Sequence, residues 1–152
     1  MTAMELKIKA LDQRIGNEIP APRYATPGAA AMDLCACLDA PVTIPAGERC
    51  VVPTGIAIAL PDSNHVALLF ARSGLGIKKG ICLANGVGVI DSDYRGEIRV
   101  GLANTSQEDY TVMPGDRIAQ LMITPVVCPS VSFVEELDET ERGAGGLGST
   151  GR

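Results

Sequence analysis

The sequence has no tryptophan, and aromatic residues make up only 3% of it. A core without large rings must be assembled from Ala, Val, Ile and Leu, which individually bury less surface. With 46% apolar residues in 152 positions, there is enough for one domain and hardly for two. A modest core of this kind gains from burial between subunits. Positive charge is also short: 13 Lys and Arg stand against 18 Asp and Glu, a formal net charge of -5. That balance argues against a broad nucleic-acid footprint. It leaves room for an anionic small molecule, because a few Arg side chains and backbone N–H groups hold phosphate on an acidic protein.

Other absences narrow the field further. No apolar run approaches the ~20 residues of a membrane helix. The longest, around Ile56–Leu60 and Val66–Ala71, suit buried strands. The first residues lack the basic start, apolar stretch and small-residue cleavage site of a signal peptide. Five cysteines (Cys35, Cys37, Cys50, Cys82, Cys128) form no CxxC pair, and the single His65 cannot complete a metal cluster with them. Small buried or half-buried thiols in a reducing, cytoplasmic compartment are the expectation. The GxxxxGK[ST] spacing of a P-loop is absent too.

What remains is a series of short β segments punctuated by Pro, Gly, Asn and Asp. Leu6–Leu11 alternates with period two, as a half-buried strand does. Further strands are expected at Met32–Leu38, Val42–Ile44, Arg49–Val52, Ile56–Leu60, His65–Ala71, Ile81–Leu83, Glu97–Ala103, Tyr110–Val112, Arg117–Pro125 and Val131–Glu136. Only Ser73–Lys79 suits a helix, and a short one. The predicted class is mostly β, a barrel or jelly-roll-like sandwich. Residues 1–141 form the expected domain and 142–152 a flexible glycine-rich arm, with five glycines in eleven residues.

Five stretches carry chemistry. Ala84–Ile98 has two apolar arms around a Gly- and Asp-rich tip, a pattern that predicts a β-hairpin. Its backbone would lie close to a flat ligand at Gly88, with Tyr94 free to cover an apolar sugar face. Taken alone, the pattern favours an ordinary surface hairpin with Asp turn residues. Ala71-Arg72-Ser73-Gly74-Leu75-Gly76 offers a fork donor, a hydroxyl and backbone N–H groups, which suit an anion or a plain strand-to-helix turn. Arg142 to Arg152 carries two Arg and two hydroxyls on a chain too glycine-rich to order alone; it suits a segment that closes over a charged ligand, but composition alone favours a plain disordered tail. Gln120 is polar in an apolar strand; it either faces a ligand or satisfies a buried backbone group. Asp33 either binds a metal's waters or pairs with an Arg.

The order AAMDL, ARSGLG, GVIDSDYRGEI, GDRIAQL, RGAGGLGSTG closely resembles the five motifs of the trimeric dUTPase family, over nearly the whole chain. The resemblance implies a distorted jelly-roll-like β-barrel and a homotrimer whose active sites are shared between subunits. It implies Mg²⁺-dependent hydrolysis of dUTP to dUMP and pyrophosphate, by water attack on the α-phosphorus. By the same resemblance Asp91 activates the water. Asn85, with Gly88 in the hairpin backbone, reads uracil, and Tyr94 lies on the deoxyribose. Arg72, Ser73, Gly74 and Gln120 grip the phosphates, and Asp33 touches Mg²⁺ through water. Arg142, Leu147, Gly148, Ser149 and Thr150 close over the substrate. Leu147 stands where the family usually has a stacking Phe, and Ala71 where Pro is common. A dCTP deaminase or a bifunctional deaminase–dUTPase on the same fold is the nearest rival, but Asp91-Ser92-Asp93-Tyr94 favours the hydrolase. A non-catalytic nucleotide-binding module is the rival of another class, disfavoured by Asp91, Arg72 and Arg142 together.

Overall fold

The computed structural model describes residues 4–148 and residue 151. Its strands are Lys7–Ala10 (β1), Met32–Cys35 (β2), Val42–Ile44 (β3), Arg49–Pro53 (β4), Ile56–Ala59 (β5) and His65–Phe70 (β6). A helix at Ser73–Lys79 (α1) follows, then Ile81–Leu83 (β7), Gly88–Ile90 (β8), Arg99–Asn104 (β9), Tyr110–Val112 (β10) and Arg117–Pro125 (β11). The named strands pair antiparallel in four ladders: β1–β5, β3–β10, β4–β9–β7 and β2–β11–β6–β8. The fold is the expected mostly β, jelly-roll-like one with a single short helix. Among the described residues the ladders are open, and none closes on itself as a barrel.

Core composition follows from the aromatic shortage. Leu34, Ile44, Val52, Ile56, Leu102 and Leu121 are fully buried, each contributing roughly 1.5–3 kcal/mol of transfer free energy. Neither phenylalanine is buried: Phe70 is partly exposed and Phe133 wholly so. β11 lies between β2 and β6, which is why its sequence is a nearly continuous apolar run. The helix stops at Gly80, whose φ of 69° turns the chain while its N–H bonds the carbonyl of Gly76.

One expected strand is absent. Residues 126–148 carry no strand, and Val131, Phe133, Val134 and Leu137 are exposed. The alternation at Val131–Glu136 is that of a strand, but a strand needs an edge to satisfy its backbone, and this segment pairs with none among the described residues.

Arg14 fastens the segment after β1 onto the one after β2. Its Nε and Nη2 donate to Asp12 (3.0 and 2.7 Å), its Nη1 to the carbonyl of Leu38 (3.0 Å), and its Nη2 lies 2.9 Å from Asp39. The Arg14 side-chain bonds, with its backbone N–H, hold the Asp12 carboxyl below the usual carboxylate range. A depressed folded-state pKa contributes stability that is full above the unfolded value, near 3.9, and fades as pH falls through the folded one. Asp12→Asn is therefore expected to lower Tm at pH 7, with the gap to wild type closing below about pH 4. Thermal melts at pH 7 and pH 3 check it; an equal gap at both would remove Asp12 from that role.

Candidate active site

Residues 84–98 do not form the hairpin that their pattern predicts. The first arm, β8, pairs with β6 (Leu69 opposite Gly88), while the second enters β9, which pairs with β7 and β4. Ile98 is tied instead to the start of β5 and the turn before it: its N–H donates to the carbonyl of Ile56, and its carbonyl accepts the Thr54 hydroxyl at 2.6 Å. Two apolar arms specify strands but not their partners, and the longer β6 and β4 win the pairing. Because the arms part, a cavity of about 270 Å³ opens between them. It is near the small end of ligand pockets, ~300–1,000 Å³.

Asn85, Gly88, Asp91 and Tyr94 all line this cavity, over a floor that includes Leu69, Ile90 and Ile98. Among the described residues β8 is an edge strand, so one row of its N–H and C=O groups has no ladder partner there. At Gly88 a Cβ would lie 2.9 Å from that of Leu69, so only glycine lets β8 approach β6 with Leu69 folded over it. The Tyr94 hydroxyl donates to the Glu97 carbonyl at 3.0 Å. The Glu97 carboxylate accepts from Gly55 N–H (3.0 Å) and Arg99 Nε (3.1 Å), binding the cavity wall to the β4–β5 turn. Asp91 accepts a turn bond from Tyr94 N–H on its carbonyl, and among the described residues no donor is bonded to its carboxylate.

A second cluster lies across the four-stranded ladder, toward β2. Asp33 Oδ1 accepts from Arg72 Nε at 2.8 Å, and Oδ2 from Arg117 Nη1 at 3.4 Å. A bulge in β11 makes this possible. Gln120 faces Asp33, but the register slips between Arg117 and Ala119, so that Arg117 falls opposite Cys35. Without the slip, Arg117 and Gln120, three residues apart, would point to opposite faces. Gln120 Nε2 donates to the carbonyl of Ala71 at 2.9 Å, bracing the loop that carries Arg72. Ser73 and Gly74 open α1, where first-turn N–H groups have no intrahelical acceptor. The cluster includes no set of three metal-ligating side chains among the described residues. Asp33 is its one acid. That donor set fits a Mg²⁺ held by waters and phosphates, not an all-protein cage.

Thus Asn85, Gly88, Asp91 and Tyr94 share one cavity. Asp33, Arg72, Ser73, Gly74 and Gln120 belong to the other cluster. Arg142, Leu147 and Gly148 are in neither: Arg142 Nε bonds the carbonyl of Gly145 (2.9 Å), and Leu147 is fully exposed. Ser149 and Thr150 lie outside the described residues. Glu97, Arg99 and Arg117 were not singled out by the sequence as site residues. Glu97 reads as a strand residue, Arg99 carries no motif signal, and the role of Arg117 depends on a bulge that no pattern announces.

The dUTPase family profile matches residues 17–151. The deoxyuridine 5'-triphosphate nucleotidohydrolase of Idiomarina loihiensis is 55% identical over 152 residues, all of this chain and 99% of that protein. That of Aeromonas salmonicida is 52% identical over 148 residues, 97% of each chain. The dUTPase of Staphylococcus bacteriophage 80alpha, solved with dUpNHpp, superposes with a TM-score of 0.85 at 25% identity, covering 97% of this chain and 99% of that one. No helix among the described residues is long and apolar enough to cross a membrane. On a match that spans nearly its full length, this chain belongs to the dUTPase family.

Proposed function

We infer that the protein is a dUTP diphosphatase, hydrolysing dUTP to dUMP and pyrophosphate. The observation that carries this, beside family membership, is an Asp91 carboxylate with no donor among the described residues, in the same small cavity as Asn85 and Tyr94. A base and sugar fit such a cavity, and the triphosphate extends out of it. Asn85 and the free edge of β8 would bond the uracil edge. Close fit would exclude the methyl group of thymine, and Tyr94 a 2′-hydroxyl. Asp91 would hold a water in line with the α-phosphorus and take its proton as the bond to phosphorus forms and pyrophosphate departs.

Arg72, Ser73, Gly74 and Gln120 would grip the phosphate chain, and Arg142 with Leu147, Gly148, Ser149 and Thr150 would close over it. The cofactor we propose is Mg²⁺, which neutralises phosphate charge. Asp33 would hold it through its water shell; each carboxylate oxygen keeps acceptor capacity beyond its Arg partner. A homotrimer is proposed because the cavity and the anion cluster occupy different parts of one chain, and 142–148 reaches neither. Sites assembled between subunits would unite them, and exposed Val51, Val89 and Phe133 would gain cover. Residues 1–141 would then be the β domain and 142–152 the closing arm. In the cytoplasm, the reaction would clear dUTP from the nucleotide pool and supply dUMP for dTMP synthesis.

Pyrophosphate release with Mg²⁺, compared for dUTP, dTTP, dCTP and UTP with ammonia followed in parallel, tests the assignment. Release from dUTP alone is expected. Ammonia from dCTP would move the protein to the deaminases, and binding of dUTP without turnover would make it a nucleotide-binding module.

A further inference from the structure

We propose that Gly96 is a specificity-positioning residue, acting by the side chain it lacks: the vacant space over its Cα is the seat of the Tyr94 ring. A Cβ built on Gly96 would lie 2.6 Å from Tyr94 Cζ and 3.0 Å from Cε2, and closer still to the hydroxyl oxygen. The backbone of Gly96 is not left-handed, so conformational freedom is not what glycine supplies here. What it supplies is room. With the ring folded back onto residue 96, its hydroxyl reaches the Glu97 carbonyl at 3.0 Å. Glu97 in turn is fixed to Gly55 and Arg99 through its carboxylate. The ring is thereby held at both ends of a short loop: its root at the turn closed by Tyr94 N–H on the Asp91 carbonyl, its tip on Glu97.

An alanine at 96 removes that seat. The obstructed group is the end of a half-exposed side chain, so the relief is for Tyr94 to swing outward while the strands stay in place. Gly96→Ala should thus resemble loss of the Tyr94 ring more than loss of the fold. The inference rests on Tyr94 being the wall against the sugar, as proposed above.

The test is a cycle of Gly96→Ala, Tyr94→Ala and the double variant. Each is assayed for kcat/KM on dUTP and UTP, with Tm measured alongside. Gly96→Ala is expected to lower the dUTP/UTP preference by about tenfold or more, mostly through KM, with Tm close to wild type. Tyr94→Ala should lower it at least as far, and adding Gly96→Ala to Tyr94→Ala should change nothing more, because the two act through one ring. If Gly96→Ala is too unstable to assay, Tyr94→Ala should restore its Tm, since it removes the obstacle; failure to do so overturns the proposal. Unchanged preference in Gly96→Ala, or additive losses in the double variant, would also overturn it while leaving Tyr94 as the wall. Unchanged preference in Tyr94→Ala would sink the sugar-wall reading itself.

Discussion

Asp91→Asn should reduce kcat for dUTP by about 10³-fold while leaving the Kd of an uncleavable dUTP analogue within about threefold. Asn has the shape of Asp and keeps one acceptor oxygen, but it cannot take the water's proton and offers an N–H₂ where an acceptor is needed. The carboxylate of Asp91 makes no bond to a described residue, so the substitution breaks no internal contact and Tm should stay put. Its placement is held by the backbone: Ile90 is buried at the end of β8, and the Asp91 carbonyl closes the turn to Tyr94 N–H. Single-turnover pyrophosphate release and calorimetric titration of the analogue separate chemistry from binding. Undiminished turnover would strip Asp91 of its role; lost binding with lost turnover would make it a substrate-gripping residue instead.

The strands and the helix were legible wherever a local pattern is enough. Val42–Ile44, Ser73–Lys79, Ile81–Leu83, Tyr110–Val112 and Arg117–Pro125 end where turn residues and apolar periodicity place them. Pairing is not local. The arms of 84–98 look like partners because they are neighbours in sequence, yet β8 goes to β6 and β9 to β7 and β4. Ligand space exists because that expectation fails. Val131–Glu136 shows the converse, a strand pattern that joins no edge among the described residues. The candidate site was legible as an ordered series of motifs, and four of its residues do meet in one cavity. The supporting residues were not. Arg117 reaches Asp33 only through a bulge, Glu97 acts through both its carboxylate and its carbonyl, and Gly96 matters for an atom it does not have.

Arg142→Ala should lower kcat for dUTP by about 10³-fold, as loss of an arginine that meets transition-state charge does in other phosphoryl-transfer sites. Ending the chain after Glu141 should cost at least as much, with little change in Tm. Among the described residues Arg142 bonds only its own loop, at the Gly145 carbonyl, so no packing among them is lost with it. Leu147 in the same arm predicts a change of opposite sign. It is fully exposed, with a φ of 46°. Leu147→Phe should lower KM for dUTP by about fivefold if the arm caps the base, from stacking worth about 1 kcal/mol. Whether the arm serves its own chain or a neighbour's is decided by mixing two dead proteins. Asp91→Asn and Arg142→Ala subunits, unfolded and refolded together in equal amounts, should recover about a quarter of wild-type turnover if the arm crosses between subunits. Each recovered site would join an intact Asp91 from one variant to an intact Arg142 from the other. If the arm folded back on its own chain, every site would keep one defect, and mixing would recover nothing.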